Sequence, residues 1–175
     1  MSCNKNDNRL EVTVFETSEA GNKLTKITSF TSDESASIIK LDTSKTFQTI
    51  TGFGGAFTES SAYLLNKLSK KNRDTILQAY FGDKEKQANY SLTRTHMNSC
   101  DFSLSQYSYS PVEEDMNLAH FTIKEDIDDL IPMIKDAMKI SKDGFKIFAS
   151  PWTAAPWMKD NKEWVGGKLL PKYYD

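Results

Sequence analysis

The sequence predicts an α/β fold in which a few antiparallel strands are followed by parallel βα units. Within residues 1–45, apolar and polar side chains alternate, as they do in half-buried strands. From residue 46 to residue 175, strand-like segments alternate with segments of helical periodicity, and this order favours about three βα units and a parallel sheet. We therefore expect two domains, residues 1–45 and residues 46–175.

The first domain begins with a predicted hairpin. Leu10–Thr17 and Lys23–Phe30 both alternate, and Ala20–Asn22 between them has the composition of a turn. Ser37–Asp42 is predicted to be a third strand. The first domain is therefore expected to consist of antiparallel β structure.

Three strands are predicted in the second domain. They are Phe47–Phe53, Tyr90–Met97 and Phe145–Ser150, and a long polar and aromatic loop, roughly residues 98–120, follows the second strand. A (β/α)₈ barrel needs about 250 residues, and a doubly wound sheet usually has more than three strands. We therefore interpret the chain as the front part of a longer protein.

Helical periodicity predicts the segments between these strands. Glu59–Leu68 is one helix, Ser69 is the predicted N-cap of a second, and Pro132 is expected to be the first residue of a third, after a preliminary turn. The chain is expected to enter another helix at Tyr173–Asp175. The apolar positions expected on the buried faces are Ala62, Leu65, Leu68, Ile76, Leu77, Tyr80, Ile127, Leu130, Ile131, Ile134, Ala137 and Met138.

Charge, cysteine spacing and the N-terminal residues bear on the possible binding partners and location of the protein. The chain has 22 basic and 24 acidic residues, and its lysines are scattered among acids, so a nucleic-acid-binding protein is not expected. Neither Cys3 nor Cys100 has a His at metal-ligand spacing, so we expect no metal. The start, MSCNKNDN, fits either a lipid anchor at Cys3, as in a secreted or surface bacterial lipoprotein, or an ordinary polar terminus.

The glycines of Thr49–Ser60 (TITGFGGAFTES) first indicate a phosphate-binding loop. Gly52 and Gly54 match the dinucleotide fingerprint, but Phe57 occupies its third glycine position, and no Gly-Lys-Ser/Thr follows. A strand end that needs close backbone approach fits better, and a plain strand-to-helix turn fits as well. A nucleotide-dependent enzyme remains an alternative.

The ends of the second and third predicted strands carry the candidate functional residues. A carboxylate can accept hydrogen bonds from adjacent sugar hydroxyls, and an indole can cover the apolar face of a sugar ring. Each residue also has a structural interpretation, such as an ion-paired Arg in the sheet, and Glu59 fits a charge that complements a helix dipole. The candidates are Arg94, His96, Asn98, Asp101, Trp152 and Trp157, with Tyr107 and Tyr109 in the long loop.

Four stretches together resemble the glucosylceramidase-like glycoside hydrolases of family 30. The resemblance begins near Thr46 and extends to the end of the chain, with the stretches in the same order and at similar spacing. Four long motifs in register are far more specific than one short pattern. They are FQTITGFGGAFTESSA, YSLTRTHMNSCDFSLSQYSY, HFTIKEDIDDLIPMIKDA and ASPWTAAPWMK.

The resemblance implies a (β/α)₈ barrel with an accessory β-sandwich, to which the strands before residue 46 would contribute. It also implies a retaining mechanism through two glutamates whose carboxyl groups are about 5–5.5 Å apart. The acid/base belongs to an Asn-Glu-Pro motif after the fourth barrel strand, and the nucleophile follows the seventh. Asn-Glu-Pro does not occur in this sequence, so both glutamates are expected after Asp175 and the chain alone is expected to be inactive.

The resemblance further implies roles for five residues. Asp101 matches an aspartate that binds hydroxyls of the nonreducing sugar, and Trp152 matches a neighbouring indole. Arg94 matches an arginine that supports the nucleophile's carboxylate. Phe102 and Trp157 match aromatic lining positions. The role of His96, which looks like a bacterial variant, stays open.

The expected activity is hydrolysis of β-glucosidic bonds, without a cofactor, by a secreted, periplasmic or cell-surface bacterial enzyme. An endo-β-1,6-glucanase of the same family is one alternative. A noncatalytic carbohydrate-binding module, which would use the same aromatic residues and Asp101, is another. The substrate linkage and the oligomeric state are not predicted.

Overall fold

The computed structural model describes residues 12–31 and 33–174. The chain divides into two compact units, Met1–Phe47 and Gln48–Asp175. Cys3, the predicted lipid-anchor position, lies outside the described residues, and so do the first two residues of the predicted strand Leu10–Thr17. In the part that is described, no helix combines the length and the apolar character needed to cross a bilayer.

The N-terminal unit contains one short hairpin. Strand β1 (Val14–Glu16) pairs antiparallel with β2 (Thr25–Ile27), which confirms the predicted hairpin with shorter strands. The predicted third strand, Ser37–Asp42, is wrong, because this segment pairs with no other strand among the described residues. Its apolar side chains are at least 80% exposed. Alternation alone does not make a strand, since the backbone groups also need a partner.

The C-terminal unit is built on a parallel sheet. Strand β3 (Leu92–Met97) pairs with β4 (Lys146–Pro151) in parallel, with Leu92 opposite Lys146. The other side of β3 pairs with residues 53–57, where the Arg94 N–H donates to the Gly55 carbonyl at 3.2 Å and the Phe57 N–H donates to the Arg94 carbonyl at 2.8 Å. The three segments therefore lie side by side in chain order.

The first sheet segment begins later in the chain than predicted, because it includes the glycine cluster. We predicted Phe47–Phe53, but the pairing begins only at Phe53 and runs through the glycine cluster. The reason is close backbone approach, because a Cβ on Gly54 would lie 1.5 Å from the Leu92 carbonyl oxygen. The glycines thus allow this segment to reach β3, as the close-approach interpretation expected.

Two helices connect the first two sheet segments. Helix α1 (Glu59–Asn66) is capped by Thr58, whose hydroxyl accepts from the Ser61 N–H. Helix α2 (Lys70–Phe81) is capped by Ser69, as predicted, through a 3.3 Å bond from the Asn72 N–H.

The helical segment between β3 and β4 is broken in two. A short helix, α3 (Lys124–Ile127), precedes α4 (Leu130–Ile140). The prediction that Pro132 is the first residue of the main helix is wrong by two positions, because Asp129 caps the helix and accepts a bond from the Leu130 N–H. Pro132 is tolerated there since its missing N–H lies in the first turn, where such groups have no helical partner.

The core of this unit lies where the helices cover the sheet. Phe57 and Phe81 are stacked with their ring centroids 5.4 Å apart. The predicted positions Leu68, Tyr80, Ile127 and Met138 are instead exposed. The buried aromatic residue of α2 is Phe81 and not Tyr80. Ile127 faces outward because the helix is broken before α4. The core consists of Phe57, Ala62, Leu77, Phe81, Leu130, Met133 and Ala137, with Leu65 and Ile134 packed against it.

The chain after β4 forms turns. A 3₁₀ turn at Pro156–Met158 leads into an antiparallel pairing of Lys159 with Leu169, and a second 3₁₀ turn spans Pro171–Tyr173. The predicted entry into another helix at Tyr173–Asp175 corresponds to this second turn within the described residues.

Candidate functional site

The carboxyl ends of the three parallel segments meet at one edge of the sheet. Chemistry in parallel α/β folds is concentrated at such an edge. The segments that leave it are residues 58–60, the loop after Met97, and the turn after Pro151. All the predicted site residues except Arg94 and His96, which lie within β3, belong to the loops that leave this edge.

A pocket of about 520 Å³ lies between two of these loops. We call it the Asp101 pocket. Asp101 and Trp152, predicted independently from two strand ends, both line it. Asp101 is exposed to solvent, and Trp152 keeps 41% of its surface exposed. The remaining lining residues are Ser99, Cys100, Ser103, Ser105, Gln106, Thr153, Trp164, Val165 and Gly166.

Arg94 lies next to this pocket, against Trp152. Its guanidinium carbon is 4.3 Å from the centroid of the indole, and its Nη2 donates to the Ser150 hydroxyl at 3.4 Å. A cation over an aromatic face is attracted by the negative charge on that face. The contact therefore holds the Trp152 ring beside the Arg94 cation.

Asn98 connects β3, the long loop and the turn after β4. Its backbone is left-handed, with φ of 61°, and its side chain accepts from the Tyr109 N–H at 2.9 Å and donates to the Thr153 carbonyl at 3.4 Å. A left-handed Asn is well tolerated among non-glycine residues. Asn98 thus fixes the two loops that carry Asp101 and Trp152 relative to each other.

His96 is buried in β3 and faces away from solvent. Its Nδ1 is 2.7 Å from the Asn98 carbonyl oxygen, while its Nε2 has no hydrogen-bond partner among the described residues. His96 does not line the Asp101 pocket. Its described contact therefore supports the backbone at Asn98.

The loop that carries Asp101 is also fixed by the start of α1. Glu59 is buried, and its Oε2 accepts from the Leu104 N–H at 3.1 Å. The Ser60 backbone and hydroxyl both donate to the Phe102 carbonyl, at 3.0 and 2.6 Å. Glu59 therefore does more than complement the helix dipole. Phe102 contributes its carbonyl here, and its ring is exposed and lies outside the Asp101 pocket.

A buried carboxylate, missed by the sequence analysis, holds the other end of this loop. Asp126 accepts hydrogen bonds from the hydroxyls of Tyr107, at 3.0 Å, and Tyr109. Burial, together with the hydrogen bond and negative charge of Asp126, raises the pKa of both tyrosines above the usual range. Asp126 lies in a short helix at an ordinary acidic position, so no sequence signal distinguished it.

Trp157 lies in a second cavity, of about 470 Å³, next to the first. Its Nε1 donates to the Ser110 carbonyl at 2.9 Å, and its ring meets Tyr173 edge-on at 5.1 Å. Trp157 therefore lines a different cavity from Asp101. Gln106 and Trp164 line both cavities and separate them.

Trp164 and Lys159 were also missed. Trp164 lies well beyond the end of β4, so a search of strand ends does not reach it. Lys159 is 4% exposed, and its ammonium donates to two carbonyls in the segment that carries Trp164 and to the Thr153 hydroxyl. A Lys at this position looks like a surface residue in the sequence.

The Cys100 thiol takes part in a local hydrogen bond. Cys100 is a free thiol whose sulfur accepts from the Phe102 N–H at 3.4 Å. Within residues 12–31 and 33–174, no three His, Cys, Asp or Glu side chains are grouped so that they could hold a metal ion.

Comparisons with known proteins show the family of this chain. The model of the glycosyl hydrolase family 30 TIM-barrel domain matches residues 50–174. Putative glucosylceramidase 3 of Caenorhabditis elegans is 40% identical over 133 residues, and lysosomal acid glucosylceramidase of Mus musculus is 37% identical over 132 residues. Each alignment covers 75% of this chain and 25% of the relative.

A solved structure shows the same similarity in three dimensions. The endo-β1,6-glucanase BT3312 superposes with a TM-score of 0.70 at 29% identity, covering 87% of this chain and 34% of that one. The chain thus spans about a quarter to a third of the length of the proteins it matches. The α/β fold with parallel strands agrees with the TIM-barrel match. The chain belongs to glycosyl hydrolase family 30.

Proposed function

We propose that this chain is the N-terminal part of a retaining β-glucoside hydrolase and that it carries the residues that bind the sugar. The observation that carries the proposal is that Asp101 and Trp152 line one pocket at the carboxyl edge of the sheet. The glutamates that break the bond lie after Asp175 in this proposal. No glutamate of the chain lines the Asp101 pocket in its described part.

Each side chain has a chemical role in the proposal. The Asp101 carboxylate accepts hydrogen bonds from two adjacent hydroxyls of the sugar. The Trp152 indole covers the apolar C–H face of the ring. Arg94, beside Trp152, supplies a fixed positive charge that favours the ionised form of a nearby nucleophilic carboxylate. Phe102 and Trp157 contact only those parts of a substrate that reach beyond the pocket.

The exposed surface of β4 supports a continuation of the barrel beyond this chain. Parallel strands in α/β proteins are normally buried on both faces. In β4, however, neighbouring residues that face opposite sides, Ile147 and Phe148, are both exposed. The proposal therefore includes further βα units after β4, and an accessory β-sandwich that contains the β1–β2 hairpin.

The first experiment compares Asp101→Ala with wild type in the complete gene product. We expect turnover of an aryl β-glucoside to fall by more than about a hundredfold, since an interaction with a charged group is lost at the reacting sugar. The melting temperature should change little because Asp101 is exposed. Asp143→Ala, at another exposed aspartate, is the matched control. Wild-type turnover in Asp101→Ala would refute the assignment.

Two other functions are distinguished by their products. An endo-β-1,6-glucanase is favoured by the structural similarity to BT3312, and it would release oligosaccharides from β-1,6-glucan while leaving glucosylceramide intact. A noncatalytic carbohydrate-binding module would bind the sugar with no turnover by the complete gene product. Chromatography of the products from both substrates separates the three cases.

The proposal also includes a location outside the cytoplasm, with Cys3 as the site of a lipid anchor. Cell fractionation of the complete gene product and of Cys3→Ser tests this part separately. Movement of the protein from the membrane to the soluble fraction in Cys3→Ser supports the anchor. An unchanged distribution contradicts it.

A further inference from the structure

We propose that Trp164 is a second aromatic wall of the Asp101 pocket and that the buried Lys159 ammonium positions it. Trp164 would then help to determine how tightly a sugar is held. This inference rests on the proposed function and deepens it, because it assigns a substrate-contacting residue outside the four stretches that carry the resemblance, and a positioning role for the last residue of the fourth stretch.

Lys159 connects the two segments that carry indoles. Its Nζ donates to the Thr153 hydroxyl at 3.1 Å, next to Trp152 in the chain, and to the Trp164 carbonyl at 3.0 Å. The third bond goes to the Gly166 carbonyl at 3.0 Å. One ammonium therefore fixes the turn after β4 against the loop that carries Trp164.

The burial of Lys159 indicates that these bonds determine the loop's shape. All three acceptors are uncharged oxygens, and an ammonium has three donors. Burying a charge is costly unless its hydrogen bonds are satisfied. Without Lys159, the two carbonyls would lose their partner and the loop would lose its central contact.

The rest of the loop is built as one closed hairpin. The Asp160 N–H donates to the Lys168 carbonyl at 3.0 Å, and the Lys168 N–H donates to the Asp160 carboxylate at 2.9 Å. Asn161 donates to the Val165 carbonyl at 3.0 Å, and its side chain fills the space beside Gly167, whose φ is 75°. These bonds leave the loop few alternative conformations, so Trp164 is presented in a fixed position.

Trp164 is placed where it can meet a bound sugar. Trp164 lines the Asp101 pocket together with Trp152, and the next two residues in the chain, Val165 and Gly166, line this pocket as well. Indole rings combine a large apolar face with an N–H donor, which suits a sugar ring. Two indoles from two separate loops, with Asp101 in the same pocket, form a site for one hexopyranose unit.

The test measures kcat and KM of the complete gene product on an aryl β-glucoside. Trp164→Ala is expected to raise KM by up to about tenfold, the loss of one aromatic contact, with kcat within about threefold of wild type. Lys159→Met is expected to raise KM in the same direction. Tyr174→Ala, which truncates an exposed aromatic residue, and Lys168→Met, on the same hairpin, are the matched controls and should retain the wild-type KM.

The double variant separates positioning from general stability. If Lys159 acts through Trp164, Lys159→Met with Trp164→Ala has the KM of Trp164→Ala alone, because coupled residues are not additive. If the KM increases of the two single variants multiply in the double variant, Lys159 does not act through Trp164. Should Lys159→Met fail to fold, Lys159→Arg, which keeps the charge and donors, must give a KM between those of wild type and Trp164→Ala.

The outcomes also separate this inference from the proposed function. An unchanged KM in Trp164→Ala, together with loss of turnover in Asp101→Ala, overturns only the inference. If the wild-type protein hydrolyses neither the aryl glucoside nor a β-glucan, the proposed function fails and the inference fails with it.

Discussion

The guanidinium carbon of Arg94 lies 4.3 Å from the centroid of the Trp152 ring. The two residues come from neighbouring parallel strands, Arg94 from the middle of β3 and Trp152 from the position just after β4. The contact joins the interior of the sheet to the Asp101 pocket at its edge. A change at Arg94 is therefore transmitted to the indole that we assign to the sugar.

Replacing Arg94 by Gln should impair turnover more than stability. The substitution removes the cation beside Trp152 and the charge proposed to support the nucleophile. We expect kcat/KM on an aryl β-glucoside to fall by at least about tenfold, the effect of about 1.4 kcal/mol. Arg73→Gln is the control, because Arg73 pairs with Asp136 at 2.7 Å between α2 and α4, far along the chain from the pocket. Equal kcat/KM in the two variants would contradict this role.

Gly54→Ala should disrupt the first strand, whereas Gly55→Ala should be tolerated. A Cβ at Gly54 would lie 1.5 Å from the Leu92 carbonyl oxygen, while one at Gly55 would meet only the Tyr90 ring, at 3.4 Å. We expect Gly54→Ala to lower the free energy of unfolding by more than about 3 kcal/mol, beyond ordinary overpacking, and Gly55→Ala by less than about 1 kcal/mol. Denaturant unfolding of both variants measures this, and similar midpoints would show that the backbones do not approach so closely.

Stability should fall at alkaline pH because of the tyrosines that bind Asp126. Burial, the largest cause, raises the pKa of Tyr107 and Tyr109 in the folded state above that of the unfolded chain, which is about 10. Their contribution is fully present below pH 10 and is lost as the pH rises, because the unfolded state releases these protons first. Melting temperatures between pH 8 and about 11.5 measure the loss.

The double variant Tyr107→Phe with Tyr109→Phe is the matched test of this pH dependence. It should melt at a lower temperature at neutral pH, because Asp126 loses two hydrogen bonds. Its melting temperature should then decline less than that of wild type above pH 10. A parallel decline in both proteins would show that other groups cause the alkaline loss.

The sequence predicted those parts of the fold that local patterns determine. The cap at Ser69, the hairpin and the parallel order of strands follow from patterns of a few residues. The position of the first strand does not, because it depends on how closely Gly54 approaches a residue almost 40 positions away. Ser37–Asp42 alternates like a strand, but its pairing depends on a partner that the pattern does not reveal.

The same distinction holds for the candidate site. Asp101 and Trp152 were predictable because strand ends meet at one edge of a parallel sheet, whatever the intervening chain does. Trp164 and Lys159 were not, because their positions depend on hydrogen bonds between the turn after β4 and one irregular loop. Asp126 was not predictable either, because helical periodicity does not show which hydroxyls its carboxylate contacts.

The most direct test of the central claim is a crystal structure of the complete gene product with a trapped 2-deoxy-2-fluoroglucosyl group. We predict that the sugar ring occupies the Asp101 pocket, with the Asp101 carboxylate hydrogen-bonded to its hydroxyls and the Trp152 indole against the ring. A sugar held at another place, with Asp101 and Trp152 facing solvent, would contradict the account.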